Sequence, residues 1–209
     1  MTTQRTWNEK SLWNTTRAFV EWRSVDRDLR AYLTLNTELM TKRFEAMWTE
    51  IGERPGDPDG PEWIDIFDHE VEIQPSDYHW MLNASVVREA VTAFEVYLEK
   101  TGTEVGHDWK VAESQSPRWG QLKAFFRKEL SIVVDTTTVQ EIRDLRHILT
   151  HLRGELRTKE HRSRFGKMLS FPSYPSHRAE LSPETVTQIL DDLGEVVRQV
   201  DPVAWARRY

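Results

Sequence analysis

The segment Glu141–Gly154 reads Glu-Ile-Arg-Asp-Leu-Arg-His-Ile-Leu-Thr-His-Leu-Arg-Gly, and it sets a guanidinium and two imidazoles close together as Arg146, His147 and His151. An imidazole titrates near neutrality, so it can take a proton from a sugar 2′-hydroxyl or return one to a leaving oxygen. A guanidinium stays charged and forks onto phosphate oxygens, so it can hold a phosphodiester and the charge that builds on it. On a helix, Arg146 and His151 lie about 140° apart, with His147 and Thr150 between them. Ile142, Leu145, Leu149, Leu152 and Leu156 step by three and four, so the apolar stripe packs inward and the Arg/His/Thr/His face points away from it. The combination fits cleavage of RNA, with Arg146, His151 and His147 as catalytic residues and Arg143, Thr150, Arg153 and Arg157 binding the strand.

The charge pattern agrees. Net charge is −6, which argues against a general nucleic-acid coat. From Glu141 to Lys167, however, eight Lys or Arg stand against four acids, whereas Glu50 to Asp77 holds ten acids and only Arg54. A polyanion is drawn to the first region and repelled by the second. The acidic run lacks EF-hand spacing and reads as a solvated surface or a contact for a basic partner.

Other readings of the same residues are plainer. Arg146 would be an ordinary surface residue if paired with Glu141 or Asp144, His147 a solvated one, and His151 a hydrogen-bonded inner histidine. His147 and His151 also have the i, i+4 spacing that can put two imidazoles on one metal ion. That site needs a third ligand from His69, His79, His107, His161, His177 or a carboxylate, and no Glu accompanies the pair as in His-Glu-x-x-His. There is no Gly-rich phosphate loop, no Gly-x-Ser-x-Gly and no cysteine, so no cofactor is expected.

The elements that must position these residues are helical. A first long helix is expected from about Lys10 to Ile51, with Trp22, Val25, Leu29, Tyr32, Met40, Phe44, Met47 and Ile51 on one stripe and a break or partner contact at Asn36. Gly52 to Gly60 ends it. Trp63 to Ile73 reads as a short strand. Pro75-Ser76-Asp77 starts a second helix running to about Lys100, with Gly102 as its stop. Ser116-Pro117 opens a short third helix carrying Trp119, Leu122, Phe125, Phe126 and Leu130. The motif helix begins with the capping box Thr138-Val139-Gln140-Glu141. Ser182-Pro183 opens the last helix, with Val186, Ile189, Leu190, Leu193, Val197 and Val200 as its stripe. The expectation is an all-α bundle of about five helices with a long N-terminal helix and an acidic insertion. It reads as one domain over 1–209, with 1–74 as the long helix and acidic connection and 75–209 as the core.

Composition permits this. The chain has 209 residues, 38% of them hydrophobic, with nine Trp and eight Phe, enough to bury a core. No stretch reaches the roughly 20 apolar residues that span a bilayer. The first residues lack the apolar centre of a signal peptide and cysteine is absent, so the expected compartment is the cytoplasm and no membrane partner is expected. Trp109 and Trp119 are candidates to stack bases.

The segment Arg146-His147-x-x-x-His151 resembles the Arg-polar-x(3 to 5)-His signature of HEPN domains, with His147 in the slot usually held by Asn, Asp or His. The resemblance covers Thr138 to Glu155, with a compatible helical order from about Pro75 to Val200. It implies a homodimer whose motif helices face each other across a shared cleft. It also implies metal-independent endoribonuclease activity with Arg146 and His151 as catalytic residues. Such proteins act as toxins or in phage defence, beside an antitoxin or a nucleotidyltransferase. Other members are non-catalytic modules that bind RNA, nucleotide or protein.

Overall fold

The structure is a computed structural model describing residues 14–52, 71–112, 115–156, 159, 165 and 178–208. Five helices account for most of them: α1 (Arg17–Gly52), α2 (Pro75–Glu104), α3 (Trp119–Glu129), α4 (Thr137–His151) and α5 (Pro183–Arg207). Among the described residues an isolated antiparallel bridge joins Glu155 and Arg178. The all-α bundle with a long first helix is what the periodicities indicate. Most of the acidic insertion, and the strand expected from Trp63 to Ile73, lie outside the described residues except at their ends.

α1 and α2 run antiparallel for most of their length. At one end the Glu104 carboxylate accepts from the backbone N–H groups of Arg17 and Ala18 at 3.0 and 2.6 Å. At the other, Phe44 meets Tyr78 edge-on with ring centroids 5.8 Å apart. Buried and half-buried positions of α1 include the stripe Trp22, Asp26, Leu29, Leu33, Asn36, Met40, Phe44 and Met47. Their steps of three and four keep them on one face of the helix. Val25 and Tyr32, expected inside, lie off that face and are exposed, and Leu33, 4% exposed, takes the inner place. Asn36 does not break the helix. Its amide donates to the Tyr32 carbonyl at 2.8 Å, one turn back.

α5 lies parallel to α2 and antiparallel to α1. Tyr97 on α2 donates its hydroxyl to the Val197 carbonyl at 3.4 Å, and Arg30 on α1 pairs with Asp191 at 2.9 Å. Every expected stripe residue of α5 is buried, and Ser182 caps it by accepting from the Thr185 N–H. α4 packs antiparallel to α2, and α3 closes the same side. Phe94, Tyr97, Phe126, Ile142, Leu145, Ile189 and Leu193 meet in a core with exposures below 2%. Each such side chain contributes about 1.5–3 kcal/mol through apolar burial.

Three boundaries differ from expectation. Gly102 does not stop α2, which continues to Glu104. A Cβ there would sit 2.2 Å from Trp109 Cζ2, so the glycine lets the indole reach the helix. α3 begins at Trp119 with Arg118 rather than Ser116 at its cap, held by a bond from the Arg118 N–H to Gln121 Oε1 at 2.8 Å. α4 is capped by Thr136, not Thr138, with its hydroxyl accepting from the Val139 N–H at 3.2 Å. Of several hydroxyl residues before the stripe, only Thr136 has the extended backbone a cap requires.

Candidate functional site

The last two turns of α4 carry the candidate site. Val139, Ile142, Leu145, Ile148 and Leu149 are buried, which fixes the rotation of the helix. His147, Thr150 and His151 are then exposed, and Arg146 half-buried at the edge of that face. The rings of His147 and His151 lie side by side, centroids 4.5 Å apart and tilted by 49°. Arg146 forms no ion pair with Glu141, Asp144 or any other described carboxylate, so its guanidinium stays available to an anion. Thr150 donates its hydroxyl to the Arg146 carbonyl at 2.8 Å. Its proton is thereby engaged within the helix, and it can offer a ligand only acceptor capacity.

The remaining strand-binding candidates do not gather at this face. Arg143 is turned toward α2 and α3: its Nε donates to Glu95 Oε1 at 2.8 Å, and its guanidinium sits 4.0 Å from the centre of the Trp119 ring. That position makes it a clamp between helices. Arg153 is exposed beyond the helix end, and Arg157 lies outside the described residues. Trp119 is covered on one face by Arg143. Trp109 is 8% exposed, its indole N–H directed at the Glu99 carbonyl and the Thr103 hydroxyl, so it cannot stack a base.

A turn of unusual backbone ends α4. His151 is its last residue and Leu152 its cap, followed by Arg153 and Gly154 with φ of +50° and +79°. Two successive left-handed residues reverse the chain at once, which glycine accepts freely and arginine does not. Gly154 also abuts Trp80 of α2: a Cβ would stand 2.3 Å from Cζ2. The Gly154 carbonyl accepts from the Ala179 N–H at 2.9 Å, and the Ala179 carbonyl from the Trp80 indole at 2.7 Å. Leu156, past the helix end, still reaches the core at 0% exposure, as its place in the stripe implied.

No third His, Asp or Glu joins His147 and His151 in a metal-binding group among the described residues. His107 is packed against Trp109 and Phe125, and His79 against Phe44 and Tyr78. His69, His161 and His177 lie outside the described residues. No described helix is long and apolar enough to cross a membrane.

The sequence reading missed a polar groove where α1, α2 and the segment before α5 converge, lined by Thr37, Asp77, Trp80, Asn83, Arg178 and Glu180 among others. One signal was present: Asn83 interrupts the buried run Leu82, Ala84, Val86 and Val87.

No protein-family model matches the chain, and no characterised protein or solved structure is similar to it at a significant level.

Proposed function

We propose that the protein is a metal-independent endoribonuclease of the HEPN type, with Arg146 and His151 as catalytic residues and His147 as their polar neighbour. One observation carries the reading: two imidazoles in contact and an unpaired guanidinium share one solvent-facing edge of a helix whose other side is wholly buried. In this scheme His151 removes the 2′-hydroxyl proton, and the 2′-oxygen attacks phosphorus. Arg146 holds the non-bridging oxygens as negative charge builds on them. The bond from phosphorus to the 5′-oxygen breaks, that oxygen takes a proton from solvent water, and the product ends in a 2′,3′-cyclic phosphate. The face is open rather than enclosed, so a second copy across a two-fold axis supplies the opposite wall of the cleft. An antitoxin or nucleotidyltransferase fits as the partner that restrains such an activity.

The test is cleavage of RNA in EDTA, with DNA untouched and cyclic phosphate ends recovered. His151→Ala should slow it about 10²- to 10⁴-fold, and Arg146→Ala comparably. His147→Ala should cost less. Circular dichroism must show each variant folded. Cleavage that survives His151→Ala would retire the catalytic assignment in favour of an RNA-, nucleotide- or protein-binding module, which the open face also suits. Loss of wild-type activity in EDTA would favour a metal-dependent hydrolase.

A further inference from the structure

The groove beside α2 has a volume of about 460 Å³, and its polar lining is not satisfied from within the protein. Asn83 is 2% exposed. Its Nδ2 donates to the Leu181 carbonyl at 2.6 Å, which fixes the amide with the oxygen as its free end, and Oδ1 has no donor. The Thr37 hydroxyl, facing the same groove from α1, is also buried without a partner. Leaving a buried polar atom unmet costs about 1–3 kcal/mol, and native chains hold few of them. Two in one groove mark a place prepared for a molecule that donates hydrogen bonds.

The charges decide what kind. Asp77 and Glu180 line the groove against one fixed cation, Arg178. The Arg178 guanidinium is already committed, paired with Asp77 and stacked on Trp80 at 3.5 Å. Glu180 is left uncompensated by that arrangement, and Asn83 Oδ1 accepts only. A phosphate or carboxylate would face the like charge of Asp77 and Glu180, with the one guanidinium already paired. An ammonium or guanidinium meets acceptors on several sides.

We infer that this groove binds a small organic cation of the amine or guanidine class, its N–H groups donating to Asn83 Oδ1 and Thr37 Oγ1 and its charge balanced by Glu180. The site is separate from the α4 face and does not depend on its chemistry. Isothermal titration calorimetry of the full chain with agmatine and with putrescine tests it, with adenosine monophosphate and sorbitol as the anionic and neutral arms. At least one amine should bind saturably, more weakly as salt rises. Thr37→Val, which keeps the shape, should weaken it about tenfold, and Glu180→Gln, at an exposed position, should weaken it several-fold. Thr37→Val should leave unfolding in the absence of amine unchanged or shifted to higher denaturant, since it removes an unmet hydroxyl. Failure of both amines to bind saturably to folded protein means a groove that holds only water, and overturns the inference. So does amine binding indifferent to both substitutions, or preferential binding of adenosine monophosphate or sorbitol.

Discussion

Gly154 separates two costs that usually arrive together. Replacing it with alanine forces a side chain onto φ +79° and drives a Cβ to 2.3 Å from Trp80 Cζ2. The first effect costs about 1–2 kcal/mol for an L-residue in the left-handed region. The second is overpacking, worth about 1–3 kcal/mol. The indole cannot simply swing aside, because its N–H is held by the Ala179 carbonyl and Arg178 lies on its face. Gly154→Ala should therefore lose about 2–5 kcal/mol. Gly106 shares the backbone, φ +84°, but its Cβ would meet nothing within 4 Å, so Gly106→Ala should show the backbone cost alone. Gly102 is helical with a Cβ position 2.2 Å from Trp109, so Gly102→Ala sets a helix-propensity gain of about 0.5–1 kcal/mol against the clash. Gly120, in open space in the first turn of α3, should be neutral or slightly stabilising as alanine. Equilibrium urea unfolding of the four variants reads all of this at once. If Gly154→Ala proves no worse than Gly106→Ala, the Trp80 contact is not the constraint described.

The other expectations follow from single contacts. Thr136→Ala should cost about 1 kcal/mol through loss of the α4 cap, whereas exposed Thr138→Ala should stay within about 0.5 kcal/mol; the reverse order in thermal melts would restore Thr138 as the cap. Arg143→Ala should lose about 1–2 kcal/mol from its half-exposed ion pair and its stacking on Trp119, and a double-mutant cycle with Glu95→Ala that gives no coupling would refute the clamp. Burial holds the Asp201 carboxyl above the usual carboxylate range, against the opposing hydrogen bonds from Thr16. The folded chain thus keeps that proton more tightly than the unfolded one, and the group's contribution to stability is lost as pH climbs from about 4 through the raised value. Asp201→Asn removes that titration while leaving an acceptor for the Thr16 N–H, so its stability should fall less than wild type's over that range, and parallel pH profiles would contradict the assignment.

What the sequence revealed depended on how local each feature is. The stripes of α4 and α5 lie within single helices, so spacing alone identified their buried faces. Ser182-Pro183 announced α5 because one cap residue and one proline stood there without competitors. Near α4, Thr136, Thr137 and Thr138 compete, and the choice depends on backbone angles that composition does not reveal. On α1 the expected stripe is too wide: at about 100° per residue Tyr32 lies about 80° from Trp22 and Leu33 only about 20°, and Leu33 takes the inner face. Gly102 looked like a helix stop because glycine serves there so often, yet its partner is an indole seven residues on. The groove combines α1, α2 and residues about 100 positions further along the chain, so no single window contained it.

The candidate site shows the same division between local and distant information. The side-by-side placement of His147 and His151, and of Arg146 at their edge, follows from helix geometry once the stripe is set. The position of the helix end does not. His151 closes α4, and the turn after it is held by Trp80 from α2 and Ala179 from the segment before α5. That same indole and alanine form part of the groove wall. The imidazole thus sits three residues from a turn whose shape is set by the groove's own lining. A short motif therefore specifies which groups are offered, and the distant packing of Trp80 against Gly154 specifies where the last of them stands.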